Sequence, residues 1–133
     1  MPAAPTDRGE GERATAAVEF ALVLPLILLM TLAVLEVGLI VKDRLVLQGS
    51  ARAGAREAAV NTNDDAVRQA VIDASASLDP SRIDVSVVRE GGVGSAVTVD
   101  VVYHDGVMIT LVEWLFPSKI DISASDVMRQ ETP

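Results

Sequence analysis

The sequence has no cysteine and only one histidine, and its aromatic residues are one Trp, one Tyr and two Phe. The absence of cysteine excludes disulfides, a thiol nucleophile and thiolate metal ligands. One histidine with scattered acids does not supply the three or four ligands that a zinc site typically needs. No nucleophile motif accompanies His104. We therefore expect neither an enzyme nor a metal or cofactor site.

Basic charge is also scarce, because eleven Lys and Arg stand against nineteen Asp and Glu, a net charge of −8. Most of the excess negative charge follows residue 60, and no basic patch stands out in the sequence. A field of this sign repels nucleic-acid phosphates, so we expect no nucleic-acid partner. The length of 133 residues leaves room for one long helix and one small domain.

One long hydrophobic run, from residue 14 to 41, dominates what is present. It holds no charge between Phe20 and Leu35, and charged residues at 42–44 end it. A spanning helix needs about 20 mostly apolar residues and satisfies its own backbone in lipid. A soluble core helix fits badly, because so small a chain has too little other material to cover it. We predict a transmembrane helix over 14–41.

Three residues are unusual within this run. Pro25 removes one backbone hydrogen bond and is expected to kink or loosen the helix. Glu19 and Glu36 carry charges that are costly in a membrane unless they reach the interface or a partner. For Glu36, close to Lys42, we favour a side chain that reaches out toward the head groups.

The segments on either side of the run differ in character. Residues 1–13 are polar, contain Pro and Gly, and are predicted to form a disordered leader. The mixed charge of this leader and the length of the run do not fit a conventional secretory signal. Beyond the run, a helical extension is predicted over 42–60.

Small residues cluster on the predicted extension. They allow another element to approach the helix closely. That element is either a neighbouring subunit or the chain's own sheet, and the sequence leaves both interpretations open. The candidate packing residues are Gly49, Ala51, Gly54, Ala55 and Ala58.

Residues 61–133 are predicted to form a small α+β domain. A turn and cap at 61–63 precede a second amphipathic helix, which Asp79 and Pro80 are expected to end. Alternating strands then flank a Gly-Gly-Val-Gly turn at 91–94, and a last strand begins near Ile120. The predicted fold is a long N-terminal transmembrane helix that continues into one further helix and an antiparallel sheet of about three strands.

Some residues of this domain carry separate expectations. The acids Asp84, Asp100 and Asp121 fall on the polar faces of their strands and are predicted to be solvated. The apolar segment 107–117, which contains Trp114, is predicted to dock on the sheet.

The string ATAAVEFALVLPLILLMTLAVLEVGLIV, followed by QGSARAGAREAA, resembles the TadE family. Members of this family are pseudopilin-like proteins of the tight-adherence (Flp-type) pilus system. The shared features are the V-E-F-A string, the L-P pair, a second acid before Gly38, and the small-residue helix. The resemblance covers residues 13 to about 60. The late segment KIDISASDVMRQ also resembles the closing strand of such proteins.

The resemblance implies a processing step and an assembly role. In type IV-like prepilins a membrane aspartyl peptidase cuts so that Glu occupies the fifth mature position. Glu19 then places the cut between Ala14 and Thr15, where the family usually has Gly before the cut. The new amine of Thr15 is expected to pair with Glu19 on its own chain or on a neighbour during assembly.

The resemblance also implies a cytoplasmic N-terminus and an extracytoplasmic domain on a single-pass cell-membrane protein. The count of basic residues indicates the opposite orientation, because Arg8 and Arg13 precede the run and four follow it. We adopt the orientation of the family. The four that follow are Lys42, Arg44, Arg52 and Arg56.

The function expected from the resemblance is that of a minor pilin or pseudopilin-like component. Its partners would be the membrane, other pilus subunits, the assembly platform and a prepilin peptidase. The alternative is an unprocessed, membrane-anchored domain that binds a partner at the cell envelope.

Overall fold

The computed structural model describes residues 8–106 and 119–131. The three strands form an antiparallel sheet in the order β1-β2-β3. This arrangement confirms the predicted α+β fold of one long helix, one further helix and a three-stranded sheet. The elements are α1 (Arg8–Val60), α2 (Asp64–Ala74), a 3₁₀ turn (Pro80–Arg82), β1 (Ile83–Arg89), β2 (Ala96–Gly106) and β3 (Lys119–Arg129).

Helix α1 is a single element of 53 residues with Pro25 inside it. Residues 8–13, predicted as part of a disordered leader, instead form its first turns. The helix also passes from residue 41 to residue 60 without a break, so the transmembrane run and its extension form one rod.

The two halves of α1 have different surroundings. Every residue from 11 to 28 is exposed, whereas one face becomes half-buried from Leu29 onward. From residue 43, buried positions recur every three or four residues, which is the spacing of one helix face. This face packs on the sheet and on α2. The core contains Leu47, Ala51, Ala55, Ala58, Val67, Val71, Leu78, Val97, Val99, Val101, Tyr103, Ile122 and Ala124.

Helix α1 and strand β3 lie side by side and run in the same direction. Ile40 lines one depression with Ile120 and Ile122, and Ala53 lines another with Met128. The rise from residue 40 to 57 of a helix is about 25 Å. The rise from 120 to 128 of a strand is about 26 Å. The two elements therefore cover the same length of the domain side by side.

Gly54 marks the closest approach between α1 and its neighbours. A Cβ atom placed on Gly54 would lie 2.5 Å from Cγ2 of Val71 and 3.2 Å from Cγ1 of Val99. Both valines are fully buried. The small residue thus allows α2 and β2 to pack directly against the α1 backbone.

Helix α2 ends earlier than predicted. The backbone N–H of Ser75 donates to the carbonyls of Val71 and Ile72, at 3.0 and 3.1 Å. The Ser75 hydroxyl also donates to the Val71 carbonyl at 2.8 Å. These bonds close the helix at Ala74, so the expectation that Asp79 and Pro80 would end it is wrong.

Arg89 links the end of β1 to the start of α2. Its guanidinium forms an ion pair with Asp64 and donates to the Asn61 carbonyl at 3.2 Å. The turn that follows β1 is the predicted glycine turn, and Gly94 adopts a φ of +90° that glycine tolerates. The predicted hairpin is therefore confirmed. The apolar segment 107–117, with Trp114, lies outside the described residues.

The two glycines of the extension give a matched test of this packing. We expect Gly54→Ala to lower the free energy of unfolding by about 1–2 kcal/mol. Overpacking against the rigid Val71 costs about 1–3 kcal/mol, and Ala recovers up to about 1 kcal/mol of helix propensity. We expect Gly49→Ala to be neutral or to stabilise by up to about 1 kcal/mol, because nothing lies within 4 Å of its added Cβ. Thermal unfolding in detergent micelles measures both, and equal shifts would contradict the packing.

Candidate functional site

The candidate site is the N-terminal half of α1 together with its small-residue extension. Within the described residues, α1 is the one helix that is long and apolar enough to cross a membrane, over Gly11–Val60. Its most apolar stretch of 18 residues is not buried at all. Large side chains such as Leu22, which is 74% exposed, cover its whole circumference. The N-terminal half of α1 is therefore a membrane-type helix.

The predicted processing residues lie in this exposed half. Ala14, Thr15 and Glu19 all have exposed side chains inside α1. The Thr15 hydroxyl donates to the Gly11 carbonyl at 2.9 Å. Since the bond between Ala14 and Thr15 is helical, a peptidase would have to unwind this turn to reach it. Glu19 follows one helical turn after Thr15, about 6 Å along the axis.

The side chain of Glu36 is buried and does not reach outward as predicted. It is 2% exposed, and Asp43 and Ser50, at successive intervals of seven residues, are 9% and 0% exposed. Residues seven apart share one face of a helix, and here that face is the one turned toward the domain. The interpretation that Glu36 reaches the head groups is therefore wrong. Asp43 forms an ion pair with Lys42 at 2.7 Å.

The small-residue cluster divides into two parts. Ala51, Gly54, Ala55 and Ala58 are buried inside the domain, against α2 and the sheet. Gly49 lies on the open side of α1, where an added Cβ would meet nothing. Of the two interpretations that the sequence left open, packing on the chain's own domain describes four of the five residues. Gly49 is the member whose surface stays accessible.

A polar cluster crosses all three strands on the open face of the sheet. His104 Nδ1 lies 2.7 Å from an Asp121 oxygen, and its Nε2 lies 2.9 Å from an Asp84 oxygen. The bonds to Asp121 and then Asp84 raise the pKa of His104 above its ordinary value of 6.5. The two carboxylates contact opposite ring nitrogens, so the cluster is a charge bridge between strands.

Asp84 and Asp121 are exposed, as predicted, but the sequence did not indicate their contact with His104. Each residue lies on the polar face of its strand, which the alternation did indicate. The contact itself depends on the strand register, which aligns His104 with Asp121 and Val102 with Asp84. Among the described residues, no group of three His, Asp or Glu side chains is placed to hold a metal ion.

Comparison with protein families bears on the segment that holds the exposed half of α1 and most of its extension. A family model described as TadE-like protein matches residues 14–56. This segment is TadE-like. The match confirms, over these residues, the resemblance seen in the sequence. The TadE-like family is a non-enzymatic family.

The TadE-like segment contains all the predicted processing and assembly residues and four of the five packing residues. It ends within α1, so α2, the sheet and the His104 cluster lie outside it. No curated protein and no solved structure gives a match to the chain. The domain beyond α1 therefore has to be understood from its own geometry.

The His104 bridge predicts a specific pH dependence. Because the chain has one histidine, its ring resonances in an NMR titration report this site alone. We expect a pKa above 6.5, and Asp121→Asn should lower it more than Asp84→Asn. The bridge stabilises the fold fully below about pH 6.5, and this contribution is lost as pH rises through the folded-state pKa. His104→Gln should remove that dependence, whereas a titration at or below 6.5 would contradict the bridge.

Proposed function

We propose that this chain is a minor pilin or pseudopilin-like subunit of a tight-adherence (Flp-type) pilus system. The observation that carries the proposal is the exposed, apolar stretch in the N-terminal half of α1, which continues without a break into the part of the helix that packs in the domain. Such a surface has to be covered by lipid or by neighbouring apolar helices. A subunit that moves from a membrane into a helical bundle would use both kinds of cover.

The dimensions of the exposed half support insertion in a bilayer. No residue of the most apolar 18-residue stretch of α1 is buried, and 18 residues of helix rise about 27 Å. The hydrocarbon core of a bilayer is about 30 Å thick. Glu36, the first buried residue after Gly11, follows this stretch, so the domain starts close to one membrane surface.

The proposed assembly chemistry uses the exposed residues Ala14, Thr15 and Glu19. A prepilin peptidase would cut after Ala14 and give Thr15 a free, positively charged amine. Glu19 would pair with that amine, on its own chain or on a neighbour, which offsets the cost of a carboxylate in the membrane. Glu19 would thus fix the register of the incoming subunit. The proposed partners are other pilus subunits and the assembly platform.

We propose that the N-terminus is cytoplasmic and that the domain after α1 is extracytoplasmic, as in the family. The alternative function is an unprocessed anchor that carries a partner-binding domain at the cell envelope. One observation favours this alternative, which is the presence of Ala14 where the family usually has Gly before the cut.

Processing distinguishes these functions. We expect the intact mass of the membrane-extracted protein to fall by residues 1–14 when it is expressed with a prepilin peptidase. Full-length protein with and without the peptidase would instead favour the anchored binding domain.

Assembly tests the role of Glu19. We expect Glu19→Gln to insert and fold but to assemble poorly, because the neutral side chain cannot pair with the new amine. Glu12→Gln is the matched control, since this exposed acid lies on the leader side of the cut. Pull-down of co-expressed pilus subunits measures assembly. Equal recovery of both variants would rule out the assembly role of Glu19.

Orientation can be tested with one introduced thiol, because the chain has no cysteine. Ser77 is exposed and lies outside the helices and strands. We expect Ser77→Cys to react with a membrane-impermeant maleimide in cells whose outer membrane is permeabilised. Labelling only after the inner membrane is lysed would place the domain in the cytoplasm.

A further inference from the structure

The sheet has an open edge at β3 that borders a groove beside α1. β3 pairs only with β2 in the sheet of the described residues, so its other side is an edge. The central part of the groove is a cleft of about 310 Å³, with α1 side chains on one wall and β3 on the other. The α1 wall presents Arg44, Gln48 and Arg52, and the β3 wall presents Ser123, Ser125 and Asp126.

The register shows which backbone groups of β3 face this edge. Glu90 N–H donates to the Ala96 carbonyl, and Gln130 N–H donates to the Ser95 carbonyl. In an antiparallel ladder such pairs recur at every second residue. The even-numbered residues of β3 therefore bond to β2, and the N–H and C=O groups of Ser123 and Ser125 face away from the sheet.

The charge of the groove favours a negatively charged occupant. Among the described residues, neither Arg44 nor Arg52 takes part in an ion pair. These two arginines outnumber the one acid, Asp126, that lines the cleft. The nearby Asp121 bonds to His104 at 2.7 Å. This basic groove lies on a chain whose net charge is −8.

A second copy of this chain is a poor occupant. Two identical edge strands that are related by a two-fold axis perpendicular to the sheet run antiparallel. Because α1 runs in the same direction as β3, such a pair would point two α1 helices in opposite directions. Two copies that are inserted in one membrane with the same orientation cannot form this antiparallel pair. A parallel pair in register needs a two-fold axis along the strands, which turns the second copy's odd-numbered residues toward α1. Its Asp121 could then meet one arginine, but its Ser125, four residues on, offers no carboxylate to the other.

We propose that the edge of β3 binds an extended segment of a different protein as an added antiparallel strand, with two carboxylates of that segment meeting Arg44 and Arg52. The two arginines are eight residues apart on α1, a rise of about 12 Å. This rise corresponds to about four residues of an extended strand. The segment therefore carries its acids at positions i and i+4, which share one face of a strand.

This surface is independent of the proposed pilus role, because an anchored binding domain could use it equally. The main-chain bonds to Ser123 and Ser125 would supply affinity, and the two carboxylates would supply selectivity. A small or polar side chain at i+2 would face Gln48. The next outward N–H, that of Val127, is already bonded to Asp126. The edge that is free to bind a strand therefore ends before Val127, on the side farther from the apolar half of α1.

The test uses the full chain in detergent micelles and a synthetic peptide, Thr-Glu-Val-Thr-Val-Glu-Thr, whose glutamates are four residues apart. The control peptide replaces both glutamates with glutamine. Fluorescence anisotropy of the labelled peptides measures binding. Amide hydrogen exchange at Ser123 and Ser125 shows whether the peptide binds at the edge of β3. We expect saturable binding of the glutamate peptide, about tenfold weaker binding of the glutamine peptide, and slower exchange at both serines.

Variants of the chain separate the two parts of the site. Arg44→Gln and Arg52→Gln should each weaken binding a few-fold, and Arg68→Gln on the exposed face of α2 should leave it unchanged. Asp126→Asn should tighten binding, since it removes a competing charge and keeps an acceptor for the Val127 amide. Ser125→Pro should abolish binding, because it removes an outward N–H without breaking a bond to β2. The arginine variants keep the test decisive if Ser125→Pro lowers stability.

Three results would overturn the proposal. Equal affinity for the two peptides would remove the role of the arginines. Undiminished binding to a folded Ser125→Pro chain would remove the role of the edge. Protection of the Ser123 and Ser125 amides that rises with protein concentration, without peptide, would show that a second copy occupies the edge.

Discussion

One continuous helix has to suit two different surroundings, and the rest of the structure depends on this constraint. Between Phe20 and Leu35 α1 is apolar on every side, whereas the part after residue 41 is apolar on one face and charged on the other. Since α1 has no break between the halves, the domain cannot reorient independently of the membrane segment. The direction of α1 therefore determines how α2, the sheet and the β3 edge would lie relative to a bilayer.

The sequence was most informative where a single periodicity governs a long segment. The uncharged run after Phe20 predicted a membrane-type helix, and the alternation around Val99 predicted a strand with one buried face. These patterns were sufficient for the α+β fold, because each reflects the solvent that surrounds the element. The family resemblance was carried by the same segment, and it identified residues within α1 that periodicity alone could not distinguish.

What the sequence could not provide depends on contacts between distant segments. The burial of Glu36 depends on which face of α1 turns toward the domain, and the His104 bridge depends on strand register. The choice between self-packing and subunit packing at Gly54 likewise required the position of Val71. The early end of α2 at Ser75 is a local effect. A serine hydroxyl competes only weakly with continuation of the helix, so the sequence alone does not specify this end.

The parallel course of α1 and β3 has a mechanical consequence. A force that pulls the domain along the axis of α1 acts parallel to the strands and to the α1–sheet interface. Such a load is shared by many packing contacts at once, from Ile40 beside Ile120 to Ala53 beside Met128. The same force applied across the interface would separate those contacts one after another. The architecture therefore resists extension along the axis of α1 better than bending of the domain away from that axis.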